Sequence, residues 1–306
     1  MNKLTLIPVV IGLCVPVVSL AETTFFGRIQ ASYAFESVSG EEDGQELNTE
    51  GTRLGLKGFS AMNERSDITY MLEADVSLDE GDFFEDTRQG WIGLRGELGE
   101  LRLGRQLGAT QVSSEWVDMF PDQLGDYNHV LETEISHDES VAYINKFGDF
   151  GFAAEISTDD ELSPDTKKVT GTDIMLNYYK DGWYAAVGNL KADGAFKSTR
   201  LSGAYTFKAG HKVGLTIEET DFNNAGGHRA ALLSGRYQSG DLTFKAQVGY
   251  NEPDEGGEDE TLVAVGVDYS LNPSTSLTSQ YVVNQHRDHT ADDEMKTFAV
   301  GILYQF

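Results

Sequence analysis

The sequence predicts an all-β protein, a single sixteen-stranded antiparallel barrel that crosses a membrane. Three observations predict it. Apolar and polar residues alternate with a period of two along nearly the whole chain after residue 21, and in a strand that period puts the two sets on opposite faces. The connections between these segments alternate short, long, short, long, as they do in outer-membrane barrels. No run of helical periodicity interrupts them, and no later segment reaches the roughly 18 consecutive apolar residues of a spanning helix. The mean hydropathy is negative, which does not argue against a barrel, because only alternate residues of a pore-forming strand face lipid.

The chain opens on a segment read as a signal peptide, residues 1–21. Lys3 supplies the positive start, Leu4 to Leu20 is largely apolar, and Ser19-Leu20-Ala21 offers small residues where a signal peptidase reads. Pro8, Gly12 and Pro16 weaken a stable spanning helix there. The only cysteine, Cys14, lies in this segment, so residues 22–306, read as one barrel domain, have no disulfide or thiolate chemistry. The formal net charge is −27, with 50 acidic against 23 basic residues. A chain this acidic repels nucleic acid and attracts cations.

The strands are expected at 24–37, 51–59, 66–77, 87–96, 99–106, 138–146, 149–158, 169–180, 182–191, 197–207, 211–221, 228–237, 240–250, 260–270, 274–285 and 295–306. In the first, Phe25, Gly27, Ile29, Ala31, Tyr33 and Phe35 share one parity, against Arg28, Gln30, Ser32 and Glu36. In the third, Ile68, Tyr70, Leu72, Ala74 and Val76 oppose Thr69, Glu73, Asp75 and Ser77. In the last, Phe298, Val300, Ile302, Tyr304 and Phe306 form the apolar set. Lys180-Asp181-Gly182, Lys208-Ala209-Gly210 and Gln238-Ser239-Gly240 read as tight turns. The acidic stretches 40–51, 79–86, 159–165 and 252–260 read as the long loops of the other rim. A water-filled interior implies no hydrophobic core, with stability coming from closed strand hydrogen bonding in lipid.

Residues 107–137 break the pattern. They are long for a connection, lack alternation, and combine Trp116, Met119, Phe120 and Leu124 with Asp118, Asp122 and Asp126. Long connections of this kind are usually functional or disordered. Such a segment either folds inward and narrows a channel or lies over the rim, and the residues alone leave both open.

Asp118-Met119-Phe120-Pro121-Asp122, followed by Gly125-Asp126, resembles the constriction-loop motif of the trimeric general diffusion porins of Gram-negative outer membranes. Thr52-Arg53-Leu54-Gly55-Leu56-Lys57-Gly58, the stretch Thr87 to Gly96, Gly104-Arg105-Gln106, Phe26-Gly27-Arg28 and the terminal Tyr304-Gln305-Phe306 resemble the same family. The resemblance spans the barrel domain, with its sharp motifs in the first 130 residues. It implies a third long loop folded into the barrel and a basic wall of Arg28, Arg53 and Arg88, with Lys57 nearby, facing Asp118, Asp122 and Asp126. It implies a homotrimer in which the acidic loop 79–86 reaches a neighbouring subunit at Arg105. It also implies a C-terminal signal, Tyr304 and Phe306, read by the barrel-assembly machinery, and surroundings of outer-membrane lipid and lipopolysaccharide. The parity of Arg88 is ambiguous, because Trp91 and Ile92 do not both fit the lipid face. Where the family has a further arginine, this chain reads Ser136-His137-Asp138-Glu139-Ser140, which tilts the expected pore towards cations.

No catalytic pattern emerges. His129, His137, His211, His228, His286 and His289 form no serine–histidine arrangement. The loop holding His286, Asp288, His289, Asp292 and Asp293 reads as a solvated acidic loop rather than a metal site, and no cofactor is expected. The sequence therefore points to an outer-membrane pore for ions and small hydrophilic solutes, cation-preferring. A surface barrel whose acidic loops act as adhesin or receptor, and a solute-specific channel, stay as alternatives.

Overall fold

The computed structural model describes residues 21–306, except 41, 80–82, 132, 159–170, 224–225, 255 and 287–293. Residues 1–20 of the proposed signal segment and the acidic loop around His289 therefore lie outside the described residues, as do Glu80 and Asp82 and the whole of the 159–165 loop. The strands are β1 (Ala21–Val38), β2 (Gly44–Asn48), β3 (Arg53–Asn63), β4 (Ser66–Val76), β5 (Phe84–Gly96), β6 (Gly99–Leu107), β7 (Ser136–Phe147), β8 (Phe150–Ser157), β9 (Gly171–Lys180), β10 (Trp183–Ala192), β11 (Phe196–Thr206), β12 (Lys212–Phe222), β13 (Gly226–Ser239), β14 (Leu242–Pro253), β15 (Glu260–Asn272), β16 (Thr275–Gln285) and β17 (Glu294–Gln305).

Consecutive strands pair antiparallel, except that β2 and β3 both pair with β1, and β1 pairs with β17 to close the sheet, with Gly27 and Phe306 exchanging backbone hydrogen bonds at 3.1 Å. β1 meets β3 over residues 21–28 and β2 over residues 32–36. β2 and β3 are thus one interrupted stave, and the barrel has sixteen staves. β2 was not expected. Its five residues lie in the acidic stretch 40–51, whose composition conceals a strand paired to the upper half of β1.

Alternation decides which way each residue faces. Along β1, Phe25, Ile29, Tyr33 and Phe35 are exposed, while Arg28, Gln30 and Ser32 are buried. The same alternation runs through β10 and β12. At the rim of tight turns, aromatic residues cluster on the outer face. Trp183 and Tyr205 lie 4.6 Å apart, Phe150 and Tyr178 5.1 Å, and Tyr205 and Phe207 4.8 Å. Rings with an apolar body and a polar edge favour the membrane–water boundary. The other rim is less uniform than expected, since only residues 193–195 join β10 to β11 and residues 223–225 join β12 to β13.

The expectation of an interior without a hydrophobic core is corrected. Val117, Met119, Phe120, Tyr127, Val130 and Leu131 pack with Tyr184, Ala186, Ala204, Ala230, Leu232, Leu262, Ala264 and Val282 in one buried cluster. The strand residues of this cluster occupy the parity opposite the exposed apolar band. Two inward glycines allow the approach. A Cβ at Gly188 would lie 2.8 Å from Thr110 Cα, and one at Gly266 2.8 Å from Phe120 Cε1.

Candidate functional site

Alternation in β1 and β3 brings Arg28 and Arg53 face to face as direct cross-strand partners. Like charges in that position repel, so the pair persists only with carboxylates to receive it. Glu73 on β4 accepts from Arg53 Nε at 3.1 Å. Asp122 does more. Its Oδ2 lies 3.1 Å from Arg28 and 2.7 Å from Arg53, and its Oδ1 lies 3.1 Å from Arg88.

The ambiguity over Arg88 has a physical cause. The β4–β5 register pairs Glu73 with Gln89 and Ala74 with Thr87, so Arg88 is the extra residue of a bulge. A bulge re-aims a side chain and shifts the parity beyond it. Trp91 is accordingly buried and Ile92 exposed. Between Gly104 and Gln106 the register shifts as well, with Arg105 opposite both Asp138 and Glu139, so there the extra residue lies on β7.

Asp122 is held as tightly by its backbone as by its carboxylate. Its φ is 53°, uncommon for a residue with a side chain. Its carbonyl accepts from Gln30 Nε2 at 2.7 Å, and its N–H donates to Asp126 Oδ2 at 2.5 Å. Burial pushes the Asp122 carboxyl up, but Arg53, Arg88 and Arg28 outweigh it, and the group sits below its ordinary range. Asp118 has no arginine partner among the described residues. It accepts from Phe120 N at 2.8 Å, and burial, then Asp126, raise it well above an ordinary carboxyl. Asp126 accepts from Asn128 N at 2.9 Å at the start of a short 3₁₀ turn, Tyr127–His129. Burial and Glu134 push it to about 7 against its backbone bonds.

The rest of the segment is fixed to the opposite wall. It begins with a four-residue helix, α1 (Ala109–Val112), whose Thr110 N–H and hydroxyl both donate to Asp173 on β9. Trp116 stacks on Tyr184 at 5.7 Å. Met119 N donates to Gln247 Oε1 at 3.2 Å, and Lys245 sits 4.5 Å over the Phe120 ring. Arg200 on β11 reaches Glu134 at 2.8 Å and Glu218 at 2.7 Å.

Between the two walls lies a cavity of about 530 Å³, lined by Arg28, Arg53, Arg88 and Arg105 and by Asp75, Asp86, Glu115, Asp118, Asp122, Asp126 and Glu134. Six of the residues expected at a constriction therefore converge on it. Lys57 does not. It is exposed, with its ammonium 4.7 Å over the Phe26 ring, and it lies outside the cavity lining. Arg105 does line the cavity, and it is paired within its own chain to Asp138 at 2.6 Å and Asp86 at 3.8 Å. The acidic stretch after the loop thus meets an arginine on the neighbouring strand. Tyr304 and Phe306 lie on the outer face, their rings 5.4 Å apart.

At Asp122 the loop and the arginine wall are joined by direct ion pairs. Sequence reasoning missed Glu115, Glu134 and Arg200. Ser198, Arg200 and Ser202 share the inward parity of β11, a polar set that signalled an interior arginine.

The model of the Gram-negative porin family matches residues 9–289. The chain is 25% identical to the major outer membrane protein P.IB of Neisseria sicca over 95% of its own length and 87% of that protein. It is 27% identical to the outer membrane porin PhoE of Enterobacter cloacae, over 92% and 90% of the two chains. Among solved structures, an anion-selective porin from Comamonas acidovorans superposes with a TM-score of 0.74 at 17% identity, covering 94% of this chain and all of that one. Salmonella typhi OmpF, in complex with daunomycin, superposes with a TM-score of 0.75 at 13% identity, over 93% and 97% of the two chains. The chain belongs to the Gram-negative porins, channel-forming β-barrels of the bacterial outer membrane.

Proposed function

We propose that this porin is a cation-preferring diffusion channel for ions and small hydrophilic solutes, and that residues 107–137 form its narrow part. One observation carries the reading: seven carboxyl side chains line the cavity against four arginines. The acidic excess of the whole chain, −27, has the same sign and concentrates cations at the entrance. Two unit charges ~10 Å apart in water interact by roughly 0.4 kcal/mol, so each uncompensated carboxylate biases permeation by a factor of about two. Selectivity in a wide pore is the product of such modest terms.

The test is a planar bilayer under a potassium chloride gradient. Stepwise conductance with a reversal potential of cationic sign supports the reading. Anion preference overturns the selectivity, and absence of conductance favours an adhesin or receptor.

The working unit is proposed to be a homotrimer. A Vibrio cholerae OmpT with a TM-score of 0.70 to this chain was solved as a trimer. Asp86, exposed and 3.8 Å from Arg105, occupies the place that an acid from a neighbouring subunit would take. Phe306, hydrogen-bonded to Gly27 at the closing seam, is proposed to complete the signal read by the assembly machinery. Its deletion is expected to reduce outer-membrane insertion but not secretion.

A further inference from the structure

His137 lies at the start of β7, Glu155 near the end of β8 and Asp173 near the start of β9. Antiparallel pairing therefore gathers them at one end of three adjacent strands, with Glu155 and Asp173 as direct cross-strand partners. All three are buried, at 4% exposure or less. One ligand atom from each lies within 4.8 Å of the other two. We propose that these residues form a binding site for a divalent transition metal ion, of which zinc is the type.

Geometry supports this choice. Tetrahedral zinc with bonds of ~2.0–2.2 Å has ligand-to-ligand edges of roughly 3.3–3.6 Å. His137 Nε2 and Asp173 Oδ2 are 3.3 Å apart. A second, independent observation is that Glu155 Oε1 is buried without a hydrogen-bond partner among the described residues. A buried carboxylate oxygen in that state is costly unless a cation or donor reaches it. An imidazole with two carboxylates suits zinc and its first-row neighbours. Magnesium and calcium prefer six or more oxygens.

The surroundings meet two further requirements. Asp173 Oδ1 accepts from the Thr110 hydroxyl at 2.5 Å, which orients the carboxylate from behind. Glu155 also lines a cavity of about 470 Å³, which supplies an entry path and room for a water as fourth ligand. Because Thr110 belongs to α1, an ion here ties the root of the 107–137 segment to the β7–β9 wall. This inference is independent of the proposed ion preference.

The test uses the folded full-length chain in detergent, stripped with chelator and titrated with zinc chloride under excess magnesium, which occupies the loop carboxylates. One zinc per chain is expected, with affinity at least ~10-fold weaker in Glu155→Gln and in His137→Gln and unchanged in Asp149→Asn at the far rim. No stoichiometric binding, or wild-type affinity in both variants, overturns the proposal. Cobalt loaded into the wild type gives a readout free of folding effects. Strong visible absorption of a four- or five-coordinate site is expected, and the weak absorption of an octahedral ion overturns it.

Discussion

Two arginine–carboxylate clusters hold the same segment, and their stoichiometries are inverted. Around Asp122, three arginines share one loop carboxylate, with Glu73 behind Arg53 and Arg88. Around Arg200, two glutamates share one arginine. Arg200 is fully buried and spends its donors on Ser114, Thr133, Glu134 and Glu218. The Asp122 cluster faces the cavity, and Arg28 Nε has no hydrogen-bond partner among the described residues. A cation whose donors are all consumed is an anchor. Cations in excess of their carboxylate keep a field that a permeating ion can feel.

Removing the anchor is expected to have the largest effect. Arg200→Met leaves Glu134 and Glu218 buried without their cation, a loss of about 3–5 kcal/mol. Denaturant unfolding of the folded barrel reads it, and a change under about 1 kcal/mol would place Arg200 among weakly coupled surface pairs instead.

Next comes pH. Asp126 titrates at about 7 and Asp118 is raised as well. Below that pH Asp126 is neutral and above it the group adds a negative charge to the cavity; Asp118, raised by burial and by Asp126, acts in the same direction. Cation preference should therefore rise from pH 5 to pH 8. By linkage, the same raised groups favour the folded segment at low pH. Asp122, held low, contributes in the opposite sense and is lost only below the ordinary carboxylate range. A selectivity flat across pH 5 to 8 would mean that Asp126 does not act on the permeating ions.

The smallest change is Arg53→Ala. One positive charge leaves the wall, and the potassium-to-chloride permeability ratio should rise by a factor of about two. A fall in that ratio would show that Arg53 serves only to hold Glu73 and Asp122 in place.

Much of this was legible in the sequence, and the failures have causes. Fifteen staves appear near where alternation put them, and the second was expected only at 51–59, so its upper piece, β2, was missed because it is hidden in acidic sequence. Arg28 and Arg53 were legible because their strands alternate cleanly. Arg88 resisted because it is the extra residue of a bulge, and a one-residue insertion erases the parity that sequence reasoning uses. The apolar interior was missed although Ala230-Ala231-Leu232-Leu233 is apolar on both parities, a signal that something dry lies inside. The His137–Glu155–Asp173 group was invisible because only strand pairing brings its members together.

The central claim is that the 107–137 segment sets the channel's electrostatics through Asp122. Asp122→Asn tests it most directly, by reversal potential under a potassium chloride gradient at fixed pH. The amide keeps the shape and leaves Arg28, Arg53 and Arg88 without their shared countercharge. The account predicts a shift towards chloride by a factor of about two, larger at low salt than at high salt. An unchanged reversal potential in a folded, conducting variant would contradict it.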